Sequence, residues 1–164
     1  MKIYSEVGHG TSVKLYLPRA SELQATAAPP AAVAPEASPR GRETILVVED
    51  DPAVRTVAVA ALESLGYRIH QAGDGREALQ ILQQVDGIDL LFTDLVMPNG
   101  ISGQDLMRMA RELRPGLKTI FTSGYSASFL KGREDADQSV PLLPKPYRKQ
   151  ALVEIVRKVL DARR

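Results

Sequence analysis

The chain has 164 residues, 44% of them hydrophobic, and a formal net charge of +1, which is enough for one ordinary globular domain with extra segments. It has no cysteine, so disulfides and thiolate metal sites are excluded, and no apolar run approaches the about 18 residues of a membrane span. Residues 1–42 carry five Lys/Arg and three Asp/Glu, and residues 43–164 carry 16 and 17; neither part concentrates positive charge as nucleic-acid binding requires. Residues 1–20, MKIYSEVGHGTSVKLYLPRA, read as two short strands around a glycine turn. Val13, Leu15 and Leu17 alternate there with Lys14 and Tyr16, as in a half-buried strand. Residues 21–42 hold seven alanines and four prolines and read as a linker that builds no core.

From residue 43 onward strand and helix patterns alternate. Ile45–Val48 is an apolar strand, and Pro52 suits the first position of a helix. Val54, Val57, Ala58, Ala61, Leu62 and Leu65 give that helix one apolar face, and Gly66 ends it. Tyr67–Gln71 is a short strand. Asp74 caps a helix through about Gln84, with Ala78, Leu79 and Leu82 inward. A strand at 90–93, a helix from about Gly103 to Leu113, a strand at 118–122, a weakly patterned helix near 126–132, a strand at 140–143 and a helix at 147–161 complete the order. Five such units predict an α/β fold, a parallel sheet covered on both faces.

The chemistry gathers where the apolar runs end. Ile45-Leu46-Val47-Val48 runs into Glu49-Asp50-Asp51, Leu90-Leu91-Phe92-Thr93 into Asp94, and Val140-Pro141-Leu142-Leu143-Pro144 into Lys145-Pro146. In parallel neighbouring strands these ends converge on one edge, where open α/β sheets bind ligands. Three or four carboxylates and one ammonium then share a crevice, an unfavourable cluster unless a cation occupies it. A hard divalent ion with oxygen ligands fits, leaving one carboxylate to do chemistry. Alone, Glu49-Asp50-Asp51 would read as N-capping charge for the helix at Pro52, with Asp51 a solvated loop residue. Gly100 and Gly103 serve backbone geometry beyond Asp94. Met97-Pro98 shapes the same loop, and Met107 and Met109 read as packing residues. His9 and His70 have no metal-ligand companion and are read as non-catalytic.

The words ILVVEDDPAVR (45–55), LLFTDLVMPNGISG (90–103), TIFTSGY (119–125) and LLPKPY (142–147), with 44 positions from Asp50 to Asp94 and 51 from Asp94 to Lys145, resemble the receiver domain of two-component signalling over residues 43–164. The resemblance implies a five-stranded, flavodoxin-like, doubly wound sheet of order 2-1-3-4-5. It implies Asp94 as phosphoacceptor and a Mg²⁺ ion bound by Asp50, Asp94 and the Val96 carbonyl, with Glu49 acting through water. It also implies a cis peptide between Lys145 and Pro146 that aims the ammonium at the phosphoryl group, and a switching hydroxyl at Thr122. Many receivers carry an aromatic residue three positions before the lysine. Here that position is Leu142, and Tyr125 is the aromatic residue that could substitute for it. The partners implied are a histidine kinase or a histidine phosphotransfer domain, with a weak homodimer through the last two β/α units.

SEVGHGTSVKLYLP in residues 1–20 resembles the end of a histidine-kinase ATP-binding domain, with Gly8 and Gly10 in its last glycine motif. The phosphorylatable histidine and the other kinase boxes are absent. The expectation is the C-terminal part of a hybrid sensor kinase, or a remnant of one, that is not itself an enzyme. The first residues lack a secretory signal pattern, so a cytoplasmic location is expected, and no helix-turn-helix follows to suggest a DNA-binding regulator. Two other classes compete with this reading. An aspartyl phosphohydrolase needs a second Asp two positions after its nucleophile, where this chain has Val96. A phosphorylation-independent interaction module with a receiver fold is the alternative that stays open.

Overall fold

The computed structural model describes residues 2–16, 41–97, 100–124 and 140–162, and the chain divides into two compact units, 1–37 and 38–164. In the first, β1 (Lys2–Glu6) pairs antiparallel with β2 (Gly10–Lys14). Gly8 and Gly10 turn the chain at φ +83° and +89°, a region that costs glycine nothing. Ile3 lies opposite Val13, yet every residue of both strands is exposed. The expectation of a half-buried strand is therefore corrected: within the described residues of this unit no third strand or helix covers the apolar face, and two strands alone cannot bury one.

The second unit runs β3 (Thr44–Val48), α1 (Pro52–Glu63), β4 (Arg68–Ala72), α2 (Gly75–Gln84), β5 (Ile88–Asp94), α3 (Gly103–Leu113), β6 (Lys118–Ser123), β7 (Leu142–Pro144) and α4 (Lys149–Asp161). The five strands are parallel, in the order β4-β3-β5-β6-β7, which is 2-1-3-4-5 counted within this unit. β3 is buried at every position, as a central strand with helices on both faces must be. Its side chains alternate between two cores. Leu46 and Val48 join Leu91 and Phe121 beneath Ala78, Leu82, Leu106 and Ala110 of α2 and α3. Ile45 and Val47 join Leu90, Phe92 and Ile120 beneath Ala58 and Leu62 of α1 and Leu152 and Val156 of α4.

The helix starts follow their caps. Asp51 accepts from the Ala53 and Val54 amides, with Pro52 at the first helical position, so it is a cap as well as an exposed loop residue. Asp74 accepts from Arg76 and Glu77. α2 and α3 keep the expected bounds. β5 is longer than expected at both ends, and α4 starts two residues late. The last strand is shifted from 140–143 to Leu142–Pro144, because Pro141 has no amide to give a ladder and serves only through its carbonyl, which accepts from Phe121. Val57 is 67% exposed and Met109 39%, so neither packs inward as expected. The helix near 126–132, Tyr125 and Pro98 lie outside the described residues. Among the described residues no helix is long and apolar enough to cross a membrane.

Candidate functional site

The register of the sheet assembles the site. Val48, the last residue of β3, lies beside Thr93, and Asp94 lies beside Thr122, which in turn lies beside Leu143. The residues that follow β3 and β7, Glu49-Asp50 and Lys145, therefore emerge at the edge where Asp94 ends β5. This is also where the strand order reverses, between β3 with its neighbour β4 on one side and β5 on the other, the position at which crevices open in such sheets. One oxygen each of Glu49, Asp50 and Asp94 lie within 4.8 Å of one another. The Lys145 ammonium donates to Glu49 Oε2 at 2.5 Å and to Asp94 Oδ2 at 2.8 Å. Asp94 Oδ1 accepts from the Val96 amide at 3.2 Å. Both oxygens of the candidate acceptor thus have a donor, which fixes the plane of its carboxylate.

The charges do not balance: three carboxylates face one ammonium. Burial first, then repulsion from Asp94 and Asp50, hold the Glu49 carboxyl above its ordinary pKa, although Lys145 pulls the other way. For Lys145 burial opposes the charged form, but its bonds to Asp94 and Glu49 outweigh it and raise the pKa. The Glu49 shift thus comes chiefly from burial, and the Lys145 shift from the carboxylates bonded to it. A donor set of hard oxygens with surplus negative charge suits a small divalent cation, so Glu49, Asp50 and Asp94 pass as a candidate metal site. The Lys145–Pro146 peptide is cis.

Thr122 is 1% exposed, and among the described residues its hydroxyl meets only the Thr93 carbonyl, at 3.5 Å. Gly103 opens α3 beneath the loop that follows Asp94. A Cβ at Gly103 would collide with the Asp94 carbonyl oxygen, so the glycine expected from the sequence is required by close approach. Leu142, at the position where many receivers have an aromatic residue, is only partly buried and packs on the α2/α3 core. His9 is exposed and His70 lies on the edge strand β4, away from the cluster.

Two residues at the site were not singled out from the sequence. Tyr147 sets its ring edge-on to Phe92, with centroids 6.3 Å apart. With Ala53, Val54, Val57, Lys145 and Pro146 it lines an apolar groove of about 550 Å³. Burial raises the Tyr147 pKa. Arg55 reaches back from α1 to donate to the Glu49 carbonyl at 2.5 Å. Its one trace in the sequence is a cation at the start of a helix, where the macrodipole disfavours it.

Comparison with known proteins agrees with this fold. Residues 45–157 match the response regulator receiver domain family. The chain is 40% identical over 163 residues to the sensor kinase CckA of Brucella abortus (strain 2308), covering 96% of this chain but only 17% of that kinase. It is 38% identical over 118 residues to the response regulator receiver protein CpdR of the same organism, covering 72% of this chain and 97% of that protein. The crystal structure of a receiver domain from the hybrid histidine kinase CckA superposes with a TM-score of 0.60 at 39% identity, over 71% of this chain and 98% of that one.

Proposed function

The chain belongs to the response regulator receiver domain family, and on that premise we propose that it accepts a phosphoryl group on Asp94 from a phosphohistidine donor, in a Mg²⁺-dependent two-component phosphorelay. The observation that carries the reading is the Lys145 ammonium held between Asp94 and Glu49 at the carboxyl edge of the sheet. An Asp94 oxygen attacks phosphorus. A new O–P bond forms as the P–N bond to the donor imidazole breaks, and the imidazole leaves with the electron pair and takes up a proton. A Mg²⁺ ion held by Glu49, Asp50, Asp94 and the Val96 carbonyl would offset the charge of the phosphoryl oxygens.

The protein's own part is orientation and charge. The Val96 amide and Lys145 set the Asp94 carboxylate. Lys145, already desolvated and bonded there, moves to the phosphoryl oxygens at little reorganisation cost. Among the described residues the Thr122 hydroxyl has only a long contact to leave, and it turns toward a phosphoryl oxygen, which shifts the neighbouring Ser123 and Gly124. A group of about two negative charges and three acceptor oxygens is sufficient drive for that. The apolar groove beside Lys145 gives the donor domain a face to lie on, in the manner of a helix in a groove. Asp94 then loses phosphate to water or passes it to a histidine phosphotransfer domain.

Within the same reading residues 43–164 are the receiver, 21–42 the linker and 1–20 the last strands of a kinase ATP-binding domain, in a cytoplasmic hybrid kinase. The similarity to a sensor kinase across 96% of this chain supports that assignment. Intact-mass spectrometry after incubation with acetyl phosphate and Mg²⁺ tests the proposal. One added phosphoryl group is expected, absent in Asp94→Asn and without metal. No adduct on a folded wild-type chain would overturn it in favour of a phosphorylation-independent interaction module.

A further inference from the structure

The β3–α1 loop holds two of the three clustered carboxylates, and its backbone has to stay in place against their repulsion. On one side of Asp50, the Asp51 carboxylate accepts from the Ala53 and Val54 amides at 2.8 and 3.1 Å. On the other side, the Glu49 amide donates to the Ala72 carbonyl at 3.2 Å, and the Glu49 carbonyl accepts from Arg55 Nη1 at 2.5 Å. The same guanidinium lies over the loop between β4 and α2. A Cβ at Gly73 would come 3.4 Å from Arg55 Nη1, and the Gly73 amide donates to Glu77 Oε2 at 2.6 Å. Arg55 therefore holds the acidic loop and lies close to the loop beside it.

We infer that Arg55 is a positioning residue for the acidic pair: by fixing the Glu49 carbonyl it sets the orientation in which Glu49 and Asp50 present their carboxylates to a divalent cation. The inference rests on the proposed function. Arg55 has two effects on such a site, and they oppose each other. Its positive charge disfavours a second cation nearby. Its hydrogen bond holds the ligand backbone before the ion arrives, and partners of this kind act on a metal through its ligands. The hydrogen bond accepted by Glu49 is charge-assisted and part-buried, a setting in which such bonds are strong, while the repulsion acts across a cluster that is itself in anionic surplus. Positioning outweighs repulsion.

Calorimetric Mg²⁺ titrations of the full chain at fixed ionic strength separate the two effects by sign. Arg55→Gln is expected to bind Mg²⁺ roughly tenfold more weakly. Arg55→Lys, which can place one ammonium donor on the same carbonyl, recovers most of the affinity. If Arg55→Gln binds Mg²⁺ as tightly as wild type or more tightly, Arg55 is a surface charge and the inference fails. Asp50→Asn, which abolishes the titration heat, identifies the heat with this site. Wild-type phosphoryl uptake from acetyl phosphate keeps the two readings apart: uptake with an unchanged Arg55→Gln affinity sinks Arg55 alone, and no Mg²⁺ heat and no uptake in wild type sink both. Should Arg55→Gln not fold, guanidinium-proton exchange in wild type decides the matter. Coupling is reciprocal, so Mg²⁺ must slow exchange at Arg55, and an unchanged exchange rate overturns the inference.

Discussion

At the scale of single residues, Gly103 makes the sharpest demand. Any side chain there drives its Cβ into the Asp94 carbonyl, and the Gly103 amide also bonds the Leu95 carbonyl at 3.2 Å. Helix and acceptor loop cannot separate without losing that bond. Gly103→Ala is expected to cost about 1–3 kcal/mol of stability by overpacking, read from the denaturant midpoint at unchanged slope, and to slow phosphoryl uptake because the displaced backbone is that of Asp94. A variant of wild-type stability and uptake would show that the loop yields freely. Asp94, Glu49, Asp50 and Lys145 were legible in the sequence because each follows an apolar run, and strand ends in a parallel sheet converge. Arg55 was not, because it acts on a backbone carbonyl, and no residue type at its target marks that contact.

At the scale of elements, the Asp74 cap and the apolar spacing placed α2 where it lies and α3 keeps its expected bounds, whereas β7 was misplaced because Pro141 has no amide to give its ladder. The contact that ties β3 to α4 was also invisible, since it joins residues 114 positions apart. Glu43, just before β3, accepts from Arg157 of α4 at 2.9 Å, while Arg157 also bonds Asp161 at 2.5 Å and reaches the Tyr67 hydroxyl at 3.4 Å. Burial pushes the Glu43 carboxyl up, but its backbone bonds and Arg157 outweigh this and leave its pKa below the ordinary 4.5. A lowered carboxylate pKa contributes stability that is present above its unfolded value and lost as pH falls through the folded one. Glu43→Gln should therefore cost about 1 kcal/mol at neutral pH. The gap to wild type should close as the pH falls below 4.5. Melting temperatures of both proteins across pH 3 to 7, roughly the range over which carboxylates titrate, check this. A gap that widens in acid contradicts the assignment.

At the scale of the whole molecule, the alternation of strand and helix patterns was enough for a parallel sheet covered on both faces, whereas the strand order came from the resemblance to receiver domains, since right-handed crossovers alone leave several orders open. The first twenty residues were harder: their alternation reads as a buried strand, but alternation records a face suited to burial and not the presence of a cover. The two units also differ in what holds them. Both cores of the second unit draw their residues from 45–159, and its entry is closed by Gly41, whose amide bonds the Leu65 carbonyl at 3.1 Å and whose missing side chain makes room for the Tyr67 ring. Among the described residues, both cores are made of side chains from the second unit. A chain of residues 41–164 should thus unfold cooperatively within about 2 °C of the full chain, a shift that corresponds to less than about 0.5 kcal/mol for a domain of this size. It should also take phosphoryl from acetyl phosphate at the same rate. Residues 1–20 as a peptide should show no stable strand signal by circular dichroism, since a two-stranded hairpin is marginal in water. A loss of several degrees in the shortened chain would mean that the hairpin supports the receiver directly, and a folded peptide would mean that its strands need no cover.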